Sequence, residues 1–342
     1  MGKITIQRIA KELGFSRNTV SMALKGNDMV APQTREMIVK YAKSLGYCGL
    51  AEEEEEPEFR EDTDASYYIM ILKRAHMAVY WDKVISGISE EASRYHCQIQ
   101  IVVVTDEDEK EKRLPLGLGE NIQAIFCVNL LDMEYMKMIR QKGIQIYLLD
   151  NYMNVSGEPF YDVVKMVGFS VTAQLTGHLI SQGMKRIGFL NENSSVYESM
   201  YDRYTGYLYA MKRAGIETDP AIVLPDMQSD HFYDPDTFDQ IVESFEVLPE
   251  AVVCGNDEIA KRLTQALRFK GYRVPEDVAV TGFDNDEEGM LNPFFSTVNV
   301  NAKWMGRRMV QCFIHRMKHP GMPYEEVLIH GNIILRKSSQ RI

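Results

Sequence analysis

The chain has 342 residues, 45% of them apolar, 25% charged, with a mean hydropathy of −0.25 and a formal net charge of −11. That length exceeds one typical domain and can bury a large core, and the composition excludes a wholly disordered chain. No run approaches the roughly 18–20 apolar residues of a membrane span. In chain order, the first element is Ile6-Gln7-Arg8-Ile9-Ala10-Lys11-Glu12-Leu13, whose apolar Ile6, Ile9, Ala10 and Leu13 fall on one helical face. Thr5 can cap its start and Gly14 can end it in the left-handed conformation. Ser16 then caps a second helix with Val20, Ala23 and Leu24 inward, and Pro32 suits the first turn of a third. Met37, Ile38, Tyr41, Ala42 and Leu45 are the expected buried face of that third helix, with Gly46 ending it. Two short helices joined by a Gly-containing turn form a helix-turn-helix, a shape whose second helix can enter the DNA major groove.

Charge separates this head from the rest. Residues 1–50 carry eight Lys or Arg against three acids, a net of +5 within a total of −11, which leaves −16 for the remainder. A basic head on an acidic body suits a head that meets phosphates. On the second helix, Arg17 and Asn18 are side chains that can hydrogen-bond base edges. Residues 51–64, AEEEEEPEFREDTD, hold nine acids and one Arg, a self-repelling run that reads as a linker.

From Tyr67 onward, apolar runs alternate with amphipathic stretches. Strands are expected at Tyr68–Leu72, Ile99–Val104, Ala124–Val128, Ile146–Leu149, Val163–Val167, Ile187–Leu190, Ala251–Cys254 and Val278–Phe283. Helices are expected near 82–95, 132–142, 170–182, 202–214, 236–247, 256–270 and 301–317. This alternation predicts an α/β body of two doubly wound parallel-sheet subdomains, with a cleft at the carboxyl ends of the strands. The Asn-, Gly- and Pro-rich stretch at 151–162 reads as one crossing between them, with others near 293 and 322. The predicted organisation is therefore a head at 1–50, an acidic linker at 51–65 and an effector-binding and dimerisation body at 66–342.

The sequence carries no enzyme signature. It lacks a phosphate loop, and Gly117-Leu118-Gly119 lacks the third glycine and the context of a dinucleotide fingerprint. The five cysteines (Cys48, Cys97, Cys127, Cys254 and Cys312) are odd in number, far apart and without zinc-ligand spacing; Cys127 and Cys254 sit in apolar strands, as buried reduced thiols do. No catalytic residue, metal or cofactor is expected. Asp150-Asn151 and Asp284-Asn285-Asp286 follow apolar strands, where hydrogen bonding to a polar ligand is the stronger functional reading and loop capping the plainer one. The N-terminus runs straight into an amphipathic helix with no apolar signal region, which points to the cytoplasm.

The chain resembles the LacI/GalR family of transcriptional regulators over nearly its whole length. The head stretches are "IAKELGFSRNTVSMALKG" and "TREMIVKYAKSLGY". In the body they are "HLISQGMKRIGFL", "RYTGYLYAMKRAGI", "CGNDEIAKRLTQALRFKGYRVPEDVAVTGFDN" and "STVNVNAKWMGRR". The resemblance implies a periplasmic-binding-protein-like core, a homodimer on double-stranded operator DNA, a small polar effector such as a sugar or derivative, and repression of carbohydrate-metabolism genes. It places base reading on Arg17, Asn18 and Met22, and phosphate contacts on Thr5, Ser16, Thr19, Ser21, Asn27 and Thr34. It places effector contacts on Tyr80, Trp81, Asp150, Arg203, Asn256, Asp284 and Phe294.

Two positions depart from the family pattern. Cys48-Gly49-Leu50-Ala51 and five glutamates stand where the family has a Pro-Asn-x-x-Ala-Arg-x-Leu hinge, and that many glutamates oppose entry into the minor groove. Val167-Gly168 stands where the family has an Asp-Asn pair, which removes polar contacts from the cleft. Two other classes stay open from the residues alone. A solute-binding protein with a vestigial head would need an export signal, and a doubly wound enzyme would need a cofactor or turnover.

Overall fold

A computed structural model describes residues 5–24, 30–44, 67–75, 79–119, 121–129, 131–153, 159–227 and 235–340. The chain divides into two compact units, residues 1–64 and 65–342. In the head, α1 (Ile6–Leu13), α2 (Arg17–Leu24) and α3 (Pro32–Ser44) close around Ile9, Ala10, Val20, Ala23, Leu24, Ile38 and Ala42. Thr5 caps α1 by accepting from the Arg8 amide at 3.3 Å, and Gly14 ends it at φ 74°. Ser16 Oγ accepts the Thr19 amide at 3.0 Å and caps α2. Glu12, on α1, accepts from the Tyr41 hydroxyl of α3 at 2.9 Å and ties the two helices. One expectation fails. Met37 is 54% exposed and Val39 is buried instead, because α3 turns the Ile38–Val39–Ala42 edge inward. Leu45, Gly46, Cys48, Asn27 and the 51–65 linker lie outside the described residues.

The body contains two parallel sheets. The first joins β1 (Tyr68–Lys73), β2 (Gln98–Val103), β3 (Ala124–Cys127), β4 (Gln145–Leu149), β5 (Asp162–Met166) and β11 (Glu326–Ile329), in the order β11-β5-β4-β3-β1-β2. The second joins β6 (Ile187–Glu192), β7 (Val223–Met227), β8 (Ala251–Cys254) and β9 (Ala279–Thr281), in the order β7-β6-β8-β9. Central strands such as Ala124–Cys127 and Ala251–Cys254 are apolar at every position because helices cover both faces. On the first sheet, α6 (Met133–Arg140) covers one face; α4 (Val79–Arg94) packs on α11 (Ala302–Lys318), whose Phe313 meets Phe126 and Tyr147 edge-on at 6.3 and 6.0 Å. α4 and α11 approach closely through paired glycines: a Cβ on Gly87 would lie 2.0 Å from the Lys303 carbonyl oxygen, and one on Gly306 2.1 Å from that of Val84. On the second sheet, α7 (Gly168–Ser181) and α8 (Glu198–Arg213) cover one face, and α9 (Pro235–Glu243) and α10 (Asp257–Phe269) the other. A short α5 (Asp106–Lys110) follows β2. Cys127 and Cys254 are buried as expected, and burial pushes the Cys127 thiol up to about 12.

The crossings fall later than the sequence suggests. The 151–162 stretch joins β4 to β5 within the first sheet, and the chain leaves for the second subdomain at Val167, between β5 and α7. The return runs through β10 (Thr297–Asn299) into α11, and the last crossing runs from β11 into β12 (Asn332–Ile334), which pairs antiparallel with β10. In each case the Pro- and Gly-bearing turn precedes the crossing strand, so the turn marks the near end of the crossing and not the crossing itself.

Candidate functional site

In the head, Arg17 and Asn18 occupy the exposed start of α2, and among the described residues neither side chain makes a hydrogen bond within the fold. Thr19 shares a 2.8 Å hydroxyl bond with Ser16, so both residues serve the cap. Thr5 is likewise occupied by its cap. Ser21 and Thr34 are half-buried, and Met22 packs against the head core. The face that α2 offers is thus led by one guanidinium and one amide, the side-chain chemistry of direct base reading.

In the body, the strand ends build a polar cluster around Arg203. Arg203 stands in the first half of α8 and is 6% exposed. Its NH1 donates to the Gly255 carbonyl at 2.6 Å, its NH2 lies 3.7 Å from Asp284 Oδ1, and its guanidinium carbon sits 3.8 Å over the Phe283 ring. The stack on Phe283 is a cation–π contact that fixes the guanidinium plane. Asp284 follows the β9 strand in the left-handed region, at φ 104°. Burial lifts its carboxyl well above the usual range, Arg203 opposes that rise, and Asp286 and Asp257 add to it.

Asp150, just past β4 and also left-handed at φ 75°, reaches into the second subdomain. Its Oδ1 accepts from the Asn151 amide at 2.7 Å and the Ser199 amide at 3.1 Å, and its Oδ2 accepts from the Ser199 hydroxyl. Tyr197, the N-cap of α8, supplies no side-chain bond, so Asp150 caps that helix from across the cleft. Around it the backbones pair: the Glu198 amide donates to the Asn151 carbonyl at 2.9 Å, and that of Met153 to Val196 at 2.8 Å. Burial raises the Asp150 carboxyl to about 6 against the pull of these donors. On another part of the cleft Lys83 Nζ, from α4, donates to the Asn285 carbonyl at 2.8 Å.

Tyr80 joins this cluster: burial lifts its hydroxyl far above the ordinary value, Asp284 and Asp150 add to the rise, and Arg203 opposes it. Trp81 stands edge-on to Tyr80 at 4.9 Å and is half-buried. Asn256 has two duties, capping α10 through Ile259 at 2.8 Å and donating to Glu192 Oε1 at 3.3 Å. Phe294 packs with Phe295 and the α9–α10 core, with Arg268 5.3 Å over its ring. Sequence reasoning missed Glu192, Ser199 and Lys83. Glu192 ends β6, so its strand-end position was a usable signal; Ser199 depends on where α8 starts, which periodicity alone misplaced by four residues.

A family model described as a periplasmic binding protein-like domain matches residues 176–339. HTH-type transcriptional repressor PurR of Pasteurella multocida (strain Pm70) is 24% identical over 356 residues, covering 98% of each chain. Among solved structures, the transcriptional regulator CelR–cellobiose complex superposes with a TM-score of 0.69 at 22% identity, over 98% of this chain and 99% of that one. A LacI family transcriptional regulator from Enterococcus faecium with bound ribose gives 0.66 at 19% identity, over 80% and 99%. A three-helix head, two parallel-sheet subdomains facing a polar cleft and similarity to helix-turn-helix transcriptional regulators over nearly the whole length together give this chain the fold of the LacI family regulators it resembles.

Proposed function

We propose that this regulator is a cytoplasmic repressor that binds operator DNA as a homodimer and is set by a small polar effector, a sugar or derivative, seated between the body subdomains. The observation that carries the reading is the gathering of Tyr80, Asp150, Arg203 and Asp284 where the strands of both sheets end, the place an open α/β sheet binds ligands. The related structures with cellobiose and ribose support the sugar class and a role in carbohydrate metabolism. On this reading the cleft serves binding rather than catalysis, because Arg203, Asp150 and Asn256 spend their bonds on the fold.

Dimerisation is supported by the β2 edge of the first sheet. Ile101 and Val103 on this edge strand are 50% and 45% exposed, and beside it Leu116, whose carbonyl accepts from Gln100 at 3.1 Å, is 85% exposed. An uncovered apolar edge is a surface that a partner covers. A single α2 would also read too few bases for specificity, whereas paired heads read two half-sites.

The test selects bound sequences from random duplexes with the full chain, then titrates the complex with a panel of mono- and disaccharides. Release of operator by a member of the panel, with a dimer in sedimentation, is the expected result. An operator affinity unmoved by every sugar overturns the effector reading, and a monomer at DNA-binding concentrations overturns the dimer.

A further inference from the structure

Charge in the cleft does not balance. In the cleft Arg203 acts at once on Asp150, Glu192, Asp284 and the Tyr80 hydroxyl. Three of these are carboxylates. Asp150 is satisfied by the α8 donors, but the other two are not. Among the described residues no hydrogen bond reaches the Asp284 carboxylate, whose side chain is 12% exposed, and Arg203 stands 3.7 Å away. Glu192 receives one bond, from Asn256 Nδ2 at 3.3 Å. Arg203 cannot serve both acids better, because Gly255 and the Phe283 ring hold its guanidinium; its buried Nε has no hydrogen-bond partner among the described residues. The next cation, Lys83, is committed to the Asn285 carbonyl and lies 3.5 Å from Glu288. Behind Asp284, Asp257 and Asp286 deepen the negative field, and Lys261 lies 3.6 Å from Asp286.

Buried carboxylates without donors are costly, and opposite charge is what relieves them. A phosphorylated or acidic ligand would add to the excess. A neutral polyol would supply donors but no charge. We infer that the cleft takes an amine-bearing polyol, an amino sugar in its ammonium form, with Glu192 and Asp284 receiving the ammonium and setting the preference for it over the parent sugar. This rests on the reading of the cleft as an effector site. Burial holds Glu192 and Asp284 above their ordinary titration range and Arg203 only opposes that rise, as expected of acids short of opposite charge.

The experiment has two arms. In the first, the ligand-free full chain and its Glu192→Gln and Asp284→Asn variants are melted at neutral pH. Asn tolerates the left-handed backbone at 284. Removing an acid whose charged form burial disfavours raises the melting temperature in each variant, by ~2 °C or more and increasingly as pH rises above neutral. In the second, wild type is titrated calorimetrically with D-glucosamine, D-galactosamine and D-mannosamine, each against its parent hexose, and with glucose 6-phosphate. An amine is expected to bind about tenfold or more tightly than its parent, the worth of one charge-assisted hydrogen bond, and Asp284→Asn abolishes that preference. A parent hexose binding as tightly as its amine, or the phosphate binding best, overturns the inference and leaves the effector reading standing. Variants that melt higher while no probe binds leave the missing cation established and remove the sugar effector. Variants that melt at or below wild type overturn the inference outright.

Discussion

Removing the Asp150 carboxylate should loosen the cleft without unfolding either subdomain. Asp150→Ala deletes two bonds that cross between subdomains, to the Ser199 amide and hydroxyl, and one local bond to the Asn151 amide. Hydrogen bonds to a charged acceptor contribute roughly 1.5–3 kcal/mol each, so the two crossing bonds amount to about 3–6 kcal/mol. The buried carboxylate also carries a desolvation cost, visible as its raised titration to about 6, and the deletion recovers that cost. The net loss of closure is therefore on the order of 1–3 kcal/mol, a shift of roughly 5- to 150-fold toward the open cleft. Native-state hydrogen exchange reads this directly. The amides of Ser199, Glu198 and Met153 donate across the cleft and should exchange faster by that factor. Amides deep in α8, near Tyr207 and Met211, should keep wild-type protection, since their bonds lie inside one subdomain. Asp150→Asn, which keeps one oxygen acceptor, should fall between the two. Unchanged exchange at Ser199 in Asp150→Ala would refute the idea that Asp150 holds the subdomains together, and a uniform rise through α8 would show that it serves general stability.

Other perturbations follow from the same geometry. Arg17→Ala should cost about 1–3 kcal/mol at one half-site position and relax its base preference, read by selection from random duplexes; identical motifs for variant and wild type refute the role. Replacing Glu52–Glu56 with Gln should strengthen DNA binding non-specifically and mainly at low salt, since exposed repulsion is screened beyond about 10 Å at 0.1 M; salt-independent binding would place the run far from the duplex. Asp162→Ala strands buried Arg316, whose Nε and NH2 reach Asp162 at 2.5 and 2.6 Å, and should destabilise the body by about 3–5 kcal/mol in denaturant titration. Asp150 and Asp257, raised to about 6 and about 7 by burial, hold protons in the folded state that the unfolded chain releases near pH 4, so their stabilisation is present at low pH and fades as pH rises from about 4 to about 7. The body should therefore melt higher at about pH 5.5 than at about pH 7.5, less so in Asp150→Asn; a melting temperature that rises across this window contradicts the assignment.

The parts legible in the sequence were those set by local chemistry. Thr5, Gly14 and Ser16 capped the helices they were assigned to, because a cap depends on a few adjacent residues. The continuous apolar runs of β3 and β8 declared strands covered on both faces. What was not legible depended on long-range geometry. Short β10, β11 and β12 lack a period of their own and exist because partners pair with them. Met37 and Val39 differ by two positions on α3, and only packing decided which of them turned inward. Arg203 and Asp284 were placed in the cleft by resemblance, yet their sequence neighbourhood gives no sign that Phe283 and Gly255 would hold the guanidinium.

Asp150 accepts from α8, Asn256 caps α10 and donates to Glu192, and Arg203 donates to Gly255. A ligand that needed the Asp150 acceptors would have to break the contact with Ser199 to gain its own, and it would favour an open cleft. A ligand that uses the two under-bonded acids, Glu192 and Asp284, adds bonds while leaving the Asp150–Ser199 contact in place, and it favours closure. A ligand shifts an equilibrium only by its differential affinity for the two states. The direction of the switch is therefore set by which carboxylates the effector takes. Hydrogen exchange at the Ser199 amide, slower with a ligand of the second kind and faster with one of the first, distinguishes them by sign alone.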